Sequence, residues 1–128
     1  MQFTQMNQNL QTTLPYGNLT ISSDRQQGFK PIDLLVSAIA GCSQIVFTRI
    51  LEKKRISYNS LTLHVDAVQS ENAPNPLTKI SLIYTITGSD LVQEKLDKAL
   101  RLVPPNCTII QSLHPNTEVV EQVIISKA

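Results

Sequence analysis

Two cysteines, Cys42 and Cys107, are the residues whose chemistry most needs an account. A thiolate is a nucleophile, and a pair of thiols can divide the labour between an attacking and a resolving partner. Their separation is nothing like a C-x-x-C spacing, which sets aside a thioredoxin-like or zinc-ribbon pair. Cys42 follows Ala40-Gly41, whose small side chains leave room beside the sulfur. Position alone also suits a small core hydrophobe there. Cys107 follows Asn106 at an expected helix start, where free N–H groups and the helix dipole favour a thiolate. The alternative is a cysteine tucked under a helix end. The histidines add no obvious partner. His64 falls on the polar side of a strand pattern, and His114, before Pro115, reads as a helix-end cap. Cys42, Cys107, His64 and His114 lack the paired spacing of a zinc site, so neither metal nor cofactor is expected.

The elements that must position these thiols follow from periodicity. Pro31 opens a stretch in which Leu35, Ala38, Ile39, Cys42, Ile45, Val46 and Ile50 recur at three-and-four spacing, which predicts a long helix from Pro31 to Lys54. Asp33 in the first turn and Lys53, Lys54 and Arg55 in the last complement the helix dipole. Leu34, Val36, Phe47 and Leu51 make that helix apolar over most of its circumference, as suits one covered by a sheet or a partner subunit. Before it, residues 1–22 read as short strands about a turn at Pro15-Tyr16-Gly17-Asn18, and 23–30 as a loop carrying Arg25. After it, Leu61, Leu63, Val65 and Ala67, then Ile80, Leu82, Tyr84 and Ile86, alternate as two strands of a hairpin. Asp90 and Gln93 resemble a capping box for a second helix that Pro104-Pro105 stops. Asn106 is expected to cap a short third helix through Cys107, Ile110 and Leu113, and Thr117 to Ile125 reads as a last strand.

Composition narrows the classes. Eleven Lys+Arg against ten Asp+Glu leave a formal charge of +1, and aromatics are only 5% with no Trp. No nucleic-acid partner is expected. The nearly apolar run from Leu34 to Cys42 is too short for a bilayer of ~30 Å, so no membrane role is expected either. The first residues show no basic and apolar signal pattern, which points to the cytoplasm, where two cysteines do not form a standing disulfide. A single domain over 1–128 is expected.

The run from Pro31 to Cys42, with its proline opening, small residues before the cysteine and Ser43 after it, resembles the first-cysteine helix of the OsmC/Ohr family, the osmotically inducible and organic hydroperoxide resistance proteins. The run from Cys107 to Val119 is similar to the family's second-cysteine helix, proline turn and closing strand. The resemblance implies an α+β fold, OsmC-like, with antiparallel sheets wrapped around long central helices in an intertwined homodimer. It implies a thiol peroxidase in which Cys42 attacks an organic hydroperoxide and Cys107 resolves the sulfenic acid to a disulfide that an external thiol or dithiol reduces. Family peroxidases typically carry a Glu ten residues before the first cysteine, holding an arginine that stabilises the thiolate. Ile32 stands there, with Asp33 one place on, about 100° around the helix and so no simple replacement. Arg25 is the only arginine before this helix. Arg49, seven residues beyond Cys42 and about 10 Å along the axis, looks too distant to serve. Ile32 keeps a second reading open, a non-catalytic OsmC-like protein that binds a small apolar or acyl ligand around Cys42.

Overall fold

A computed structural model describes Met1–Lys127. Ala128, the last residue of the expected domain, lies outside the described residues. The chain forms two compact units, Met1–Ser37 and Ala38–Ala128, and one long helix, α1 (Pro31–Lys53), runs from the first into the second.

In the first unit, β1 (Thr4–Met6), β2 (Asn9–Thr13) and β3 (Asn18–Ile21) form an antiparallel sheet in sequential order. The Pro15-Tyr16 turn between β2 and β3 is closed by reciprocal backbone hydrogen bonds between Leu14 and Gly17, at 2.9 and 3.1 Å. The loop after β3 is well tied despite its polar composition. The Ser22 hydroxyl accepts from the Asp24 N–H, the Asp24 carboxylate accepts from Gln26, and the Asp24 carbonyl accepts from Gln27 and Gly28. Gly28 is needed because a Cβ would lie 2.8 Å from the Thr20 carbonyl oxygen. These bonds hold the loop that carries Arg25. Pro31 then starts α1 at the position where its missing N–H costs nothing.

In the second unit, β4 (Ser60–Gln69) and β5 (Leu77–Thr87) make the expected antiparallel hairpin, but β6 (Glu118–Ile125) pairs parallel to the other edge of β5, so this sheet is mixed where an antiparallel one was expected. Ile80, Leu82, Tyr84 and Ile86 on one face of β5 are fully buried, as their alternation predicted. The remaining elements are α2 (Gln93–Arg101) and two four-residue helices, α3 (Val103–Asn106) and α4 (Thr108–Gln111).

Two local expectations are corrected. The residue capping α2 is Val92, which offers no side-chain acceptor, so Asp90 and Gln93 form no capping box; Asp90 instead accepts from Ser89 at 3.3 Å. As expected, α2 ends at Arg101 ahead of Pro104 and Pro105, and the two prolines then fall in the first turn of the separate α3, where proline is tolerated. Asn106 ends α3, donating its side-chain amide to the Leu102 carbonyl, and Cys107 itself caps α4.

The largest correction concerns α1. Its buried residues are Ile39, Ser43, Phe47 and Leu51, a strict i, i+4 row; Leu35, Ala38 and Ile45, expected inside, are exposed. A helix apolar nearly all round has no unique inward face, and here the face containing a serine packs on the sheet. Phe47 packs against Tyr84 with ring centroids 4.8 Å apart and planes tilted by 51°. Unlike the Leu34–Cys42 run alone, the whole of α1 is long and apolar enough, by length and composition, to cross a membrane. Of that stretch 22% is buried, along the row from Ile39 to Leu51.

Candidate functional site: two thiols over a buried polar cluster

The fold brings Cys42 and Cys107 together. Cys42 sits on α1 half-buried, Cys107 is fully buried, and both are free thiols. Cys107 is placed by its capping role, its sulfur accepting from the Ile110 N–H at 3.5 Å. Its extended backbone, φ −99° and ψ 109°, turns the chain from α3 into α4. The open N–H groups of α4 lie at the thiols, but the thiolate they favour is that of Cys42; the expectation of a favoured thiolate at Cys107 is corrected, because burial and the neighbouring Cys42 outweigh them there.

The two sulfurs differ in acidity. Burial pushes the Cys42 thiol up, but the Cys107 side chain, the backbone N–H groups of Ile109 and Thr108 and the charge of Arg49 together outweigh it, and Cys42 ends below the usual thiol range. Burial pushes Cys107 up, and its place beside Cys42 pushes it further, to about 11. One thiol is therefore prepared to ionise while its neighbour keeps its proton. The charge of Arg49 reaches Cys42, but it is the smallest of these influences.

Arg25 and Asp33 are joined in the first unit. The guanidinium donates Nε to one Asp33 oxygen at 2.8 Å and a terminal nitrogen to the other at 3.0 Å. Hydrogen bonding to Arg25 holds the Asp33 carboxyl below its ordinary range, and Asp33 in turn raises Arg25. Asp33, expected to be no simple replacement for the missing Glu, does hold the arginine. The loop bends to bring Arg25 to the side of the helix that Asp33 presents. The pair is exposed, with Arg25 at 63%.

The histidines lie elsewhere. His64 is exposed beside Asp66 at 3.2 Å, and His114 accepts from the Asn116 N–H at 3.0 Å within the turn before β6.

Sequence reasoning missed the polar group beneath the thiols. Ser43 and Tyr84 share a buried hydrogen bond of 2.6 Å. Burial, with the charges of Glu121 and Cys107 adding to it against the Ser43 bond, pushes the Tyr84 hydroxyl far up, so it stays protonated. Glu121 on β6 has both carboxylate oxygens buried with no hydrogen-bond partner. Burial raises it to about 7, although the nearby Ser43 hydroxyl opposes that rise. One signal could have found it. Glu121 is in phase with Val119 and Val123, so strand alternation turns a carboxylate toward the apolar face.

A cleft of about 720 Å³ lies beside α1, lined by Val46, Arg49, Ile50, Lys53, Leu102 and Asn106. It joins apolar side chains to the arginine that acts on Cys42 and to the residue preceding Cys107.

A long helix bearing one cysteine, a short helix capped by another and a three-stranded sheet behind them place the chain in a known class. Residues 23–122 match the OsmC-like protein family, and the chain belongs to it. Protein YhfA of Escherichia coli strain K12 is 31% identical over 72 residues, which cover 56% of this chain and 54% of YhfA. The match thus spans about half the length of that relative. A hypothetical protein from Aquifex aeolicus superposes with a TM-score of 0.86 at 19% identity, covering 99% of this chain and 95% of the other. An organic hydroperoxide resistance protein OsmC from Legionella pneumophila superposes with a TM-score of 0.72 at 13% identity over 96% of each chain. These likenesses establish the α+β OsmC-like fold.

Proposed function

We propose that this protein is a cytoplasmic, homodimeric, thiol-dependent peroxidase that reduces organic hydroperoxides, comprising one OsmC-like domain over residues 1–128. The observation that carries the reading is the meeting of two free thiols, Cys42 on α1 and Cys107 at the cap of α4, and their divided acidity supports it. The Cys42 thiolate attacks the terminal peroxide oxygen, the O–O bond breaks, alcohol departs and Cys42 becomes a sulfenic acid. The Cys107 sulfur then attacks the Cys42 sulfur, water leaves and a disulfide remains for a thiol or dithiol reductant. Keeping Cys107 protonated until that second step prevents it from competing for peroxide. The apolar side of the cleft suits the organic portion of the substrate. Arg25, oriented by Asp33, is proposed as the further cation that stabilises the thiolate. The exposed apolar residues of α1, Ile45 foremost, support a second copy as the cover for that helix face.

Ile32, standing ten residues before Cys42 where the peroxidases carry Glu, favours a second reading: an OsmC-like protein that binds a small apolar or acyl ligand around Cys42 without turnover. Turnover of an alkyl hydroperoxide with dithiothreitol separates the two. The peroxidase reading expects activity that Cys42→Ser abolishes. Full activity in that variant, or none in the wild type, would leave the binding reading.

A further inference from the structure

The division of roles between the thiols leaves a proton without a destination. Cys107 must lose its proton to close the disulfide, yet its surroundings hold that proton tightly. The residues beneath the pair form a route for it. Tyr84 lies within electrostatic reach of Cys107, its hydroxyl is bonded to Ser43 at 2.6 Å, and Ser43 neighbours the Glu121 carboxylate. The sheet register places these groups independently of any charge argument. Tyr84 pairs with Val123 across β5 and β6, so Glu121, two residues before Val123, shares the Tyr84 face and sits diagonally across from it. Both Glu121 oxygens are buried and bond to nothing, a costly arrangement for a group with a purely structural part to play.

We infer that Glu121 is the proton store for disulfide closure, taking the Cys107 proton through the Tyr84 and Ser43 hydroxyls and acting as a positioning residue that touches neither sulfur. The inference rests on the proposed pairing of Cys42 with Cys107. In closure, the Glu121 carboxylate gains the proton as the Cys107 sulfur forms its bond to the Cys42 sulfur. The Cys42 S–O bond breaks and the departing oxygen leaves as hydroxide, which the stored proton converts to water. The Cys107 sulfur is oxidised, the Cys42 sulfur is reduced, and the hydroperoxide of the preceding step is the source of oxidising equivalents. Tyr84 and Ser43 share one hydrogen bond, and because a hydroxyl can both donate and accept, neither need ionise to pass a proton. Among the described residues, Tyr84 from β5 lies within electrostatic reach of Glu121, and Asp97 and Arg101 of α2 line the cleft that it borders. These α2 residues border, with Glu121, Leu100, Pro104 and Val119, a cleft of about 350 Å³ through which the carboxyl can recover its protonation state from water. A carboxyl raised to about 7 is well matched to giving and taking a proton at neutral pH.

Ellman's reagent tests this without peroxide. It forms a mixed disulfide at Cys42, releasing one thionitrobenzoate, and closure by Cys107 releases the second; the ratio of second-phase to first-phase rates isolates closure. In the wild type the second phase should quicken as pH rises through about 7, as Glu121 becomes a base. Glu121→Gln should slow it relative to the first phase by roughly tenfold at pH 8 and remove that inflection, leaving the rise toward the Cys107 value. Ser43→Ala, which breaks the route while keeping the carboxyl, should do the same and serves if Glu121→Gln does not fold. An unchanged rate ratio and inflection in the folded variant would overturn the inference. A protein that shows the inflection but ignores alkyl hydroperoxides would refute the peroxidase reading while leaving the proton store standing.

Discussion

Asp33 receives both hydrogen bonds of the Arg25 guanidinium, so the carboxylate that fixes the arginine comes from the position after Ile32, not from Ile32 itself. A bidentate pair fixes direction as well as distance. One residue along a helix swings a side chain by about 100°, and the hydrogen-bonded loop from Ser22 to Gly28 delivers Arg25 to meet it.

If this pair prepares the thiolate as proposed, Asp33→Asn and Arg25→Ala should each slow hydroperoxide reduction by roughly tenfold, the equivalent of one pKa unit at the thiol. Both should leave thermal stability almost unchanged, since exposed ion pairs contribute little. Stopped-flow measurement of sulfenic acid formation, with melting curves alongside, checks both statements. An equal loss of melting temperature and rate would make the pair a structural tie.

The two thiols should label in a fixed order. Cys42 is lowered and half-buried, whereas Cys107 is fully buried and raised to about 11. Iodoacetamide at pH 7.5, about a pH unit below a free thiol's range, should therefore modify Cys42 first and leave Cys107 largely untouched until the protein unfolds. Peptide mass mapping against time reads the order directly. Arg49→Ala should slow the Cys42 reaction modestly, because its charge adds to stronger hydrogen-bond contributions.

Glu121 makes stability depend on pH in a defined direction. Its folded-state value of about 7 lies above the ordinary 4.5, so the folded protein holds an extra proton between those limits. The stabilisation this gives is complete below about pH 4.5 and disappears as pH rises through 7. Relative to wild type, Glu121→Gln should gain stability on going from pH 5 to pH 8, by up to about 2 kcal/mol after allowance for solvent screening. Urea melts at the two pH values measure this, and parallel curves for the two proteins would contradict it.

What the sequence made legible follows the strength of its periodicity. Ile80, Leu82, Tyr84 and Ile86 announced β5 because one face of that strand is buried throughout. Pro31 and Lys53 marked α1 to within a residue. The buried face of α1 was not legible, since apolar residues nearly surround it and only the sheet decides that Ser43 goes inward. The cap of α4 was missed because a thiol, normally a weak acceptor, took the place expected of Asn106. The meeting of Cys42 with Cys107 depends on the path of three short helices, which no local pattern encodes. Glu121 was legible in principle, as a charge on the inward phase of a Val/Ile strand.

The exposed face of α1 yields a prediction about assembly. Light scattering at micromolar concentration should give about twice the 14.2 kDa chain mass. Ile45→Asp should shift that mass toward the monomer, because it places a charge on the proposed apolar contact. A wild-type mass of one chain would remove the dimer from the account.

The most direct test of the central claim is intact-mass measurement after one equivalent of tert-butyl hydroperoxide is mixed with the fully reduced protein and quenched by alkylation. The account predicts a wild-type product about 2 Da lighter and closed to alkylation, from a Cys42–Cys107 disulfide. It predicts a Cys107→Ser product about 16 Da heavier, from a trapped Cys42 sulfenic acid, and no change in Cys42→Ser. Two alkylatable thiols in the treated wild type, with the peroxide unspent, would contradict it.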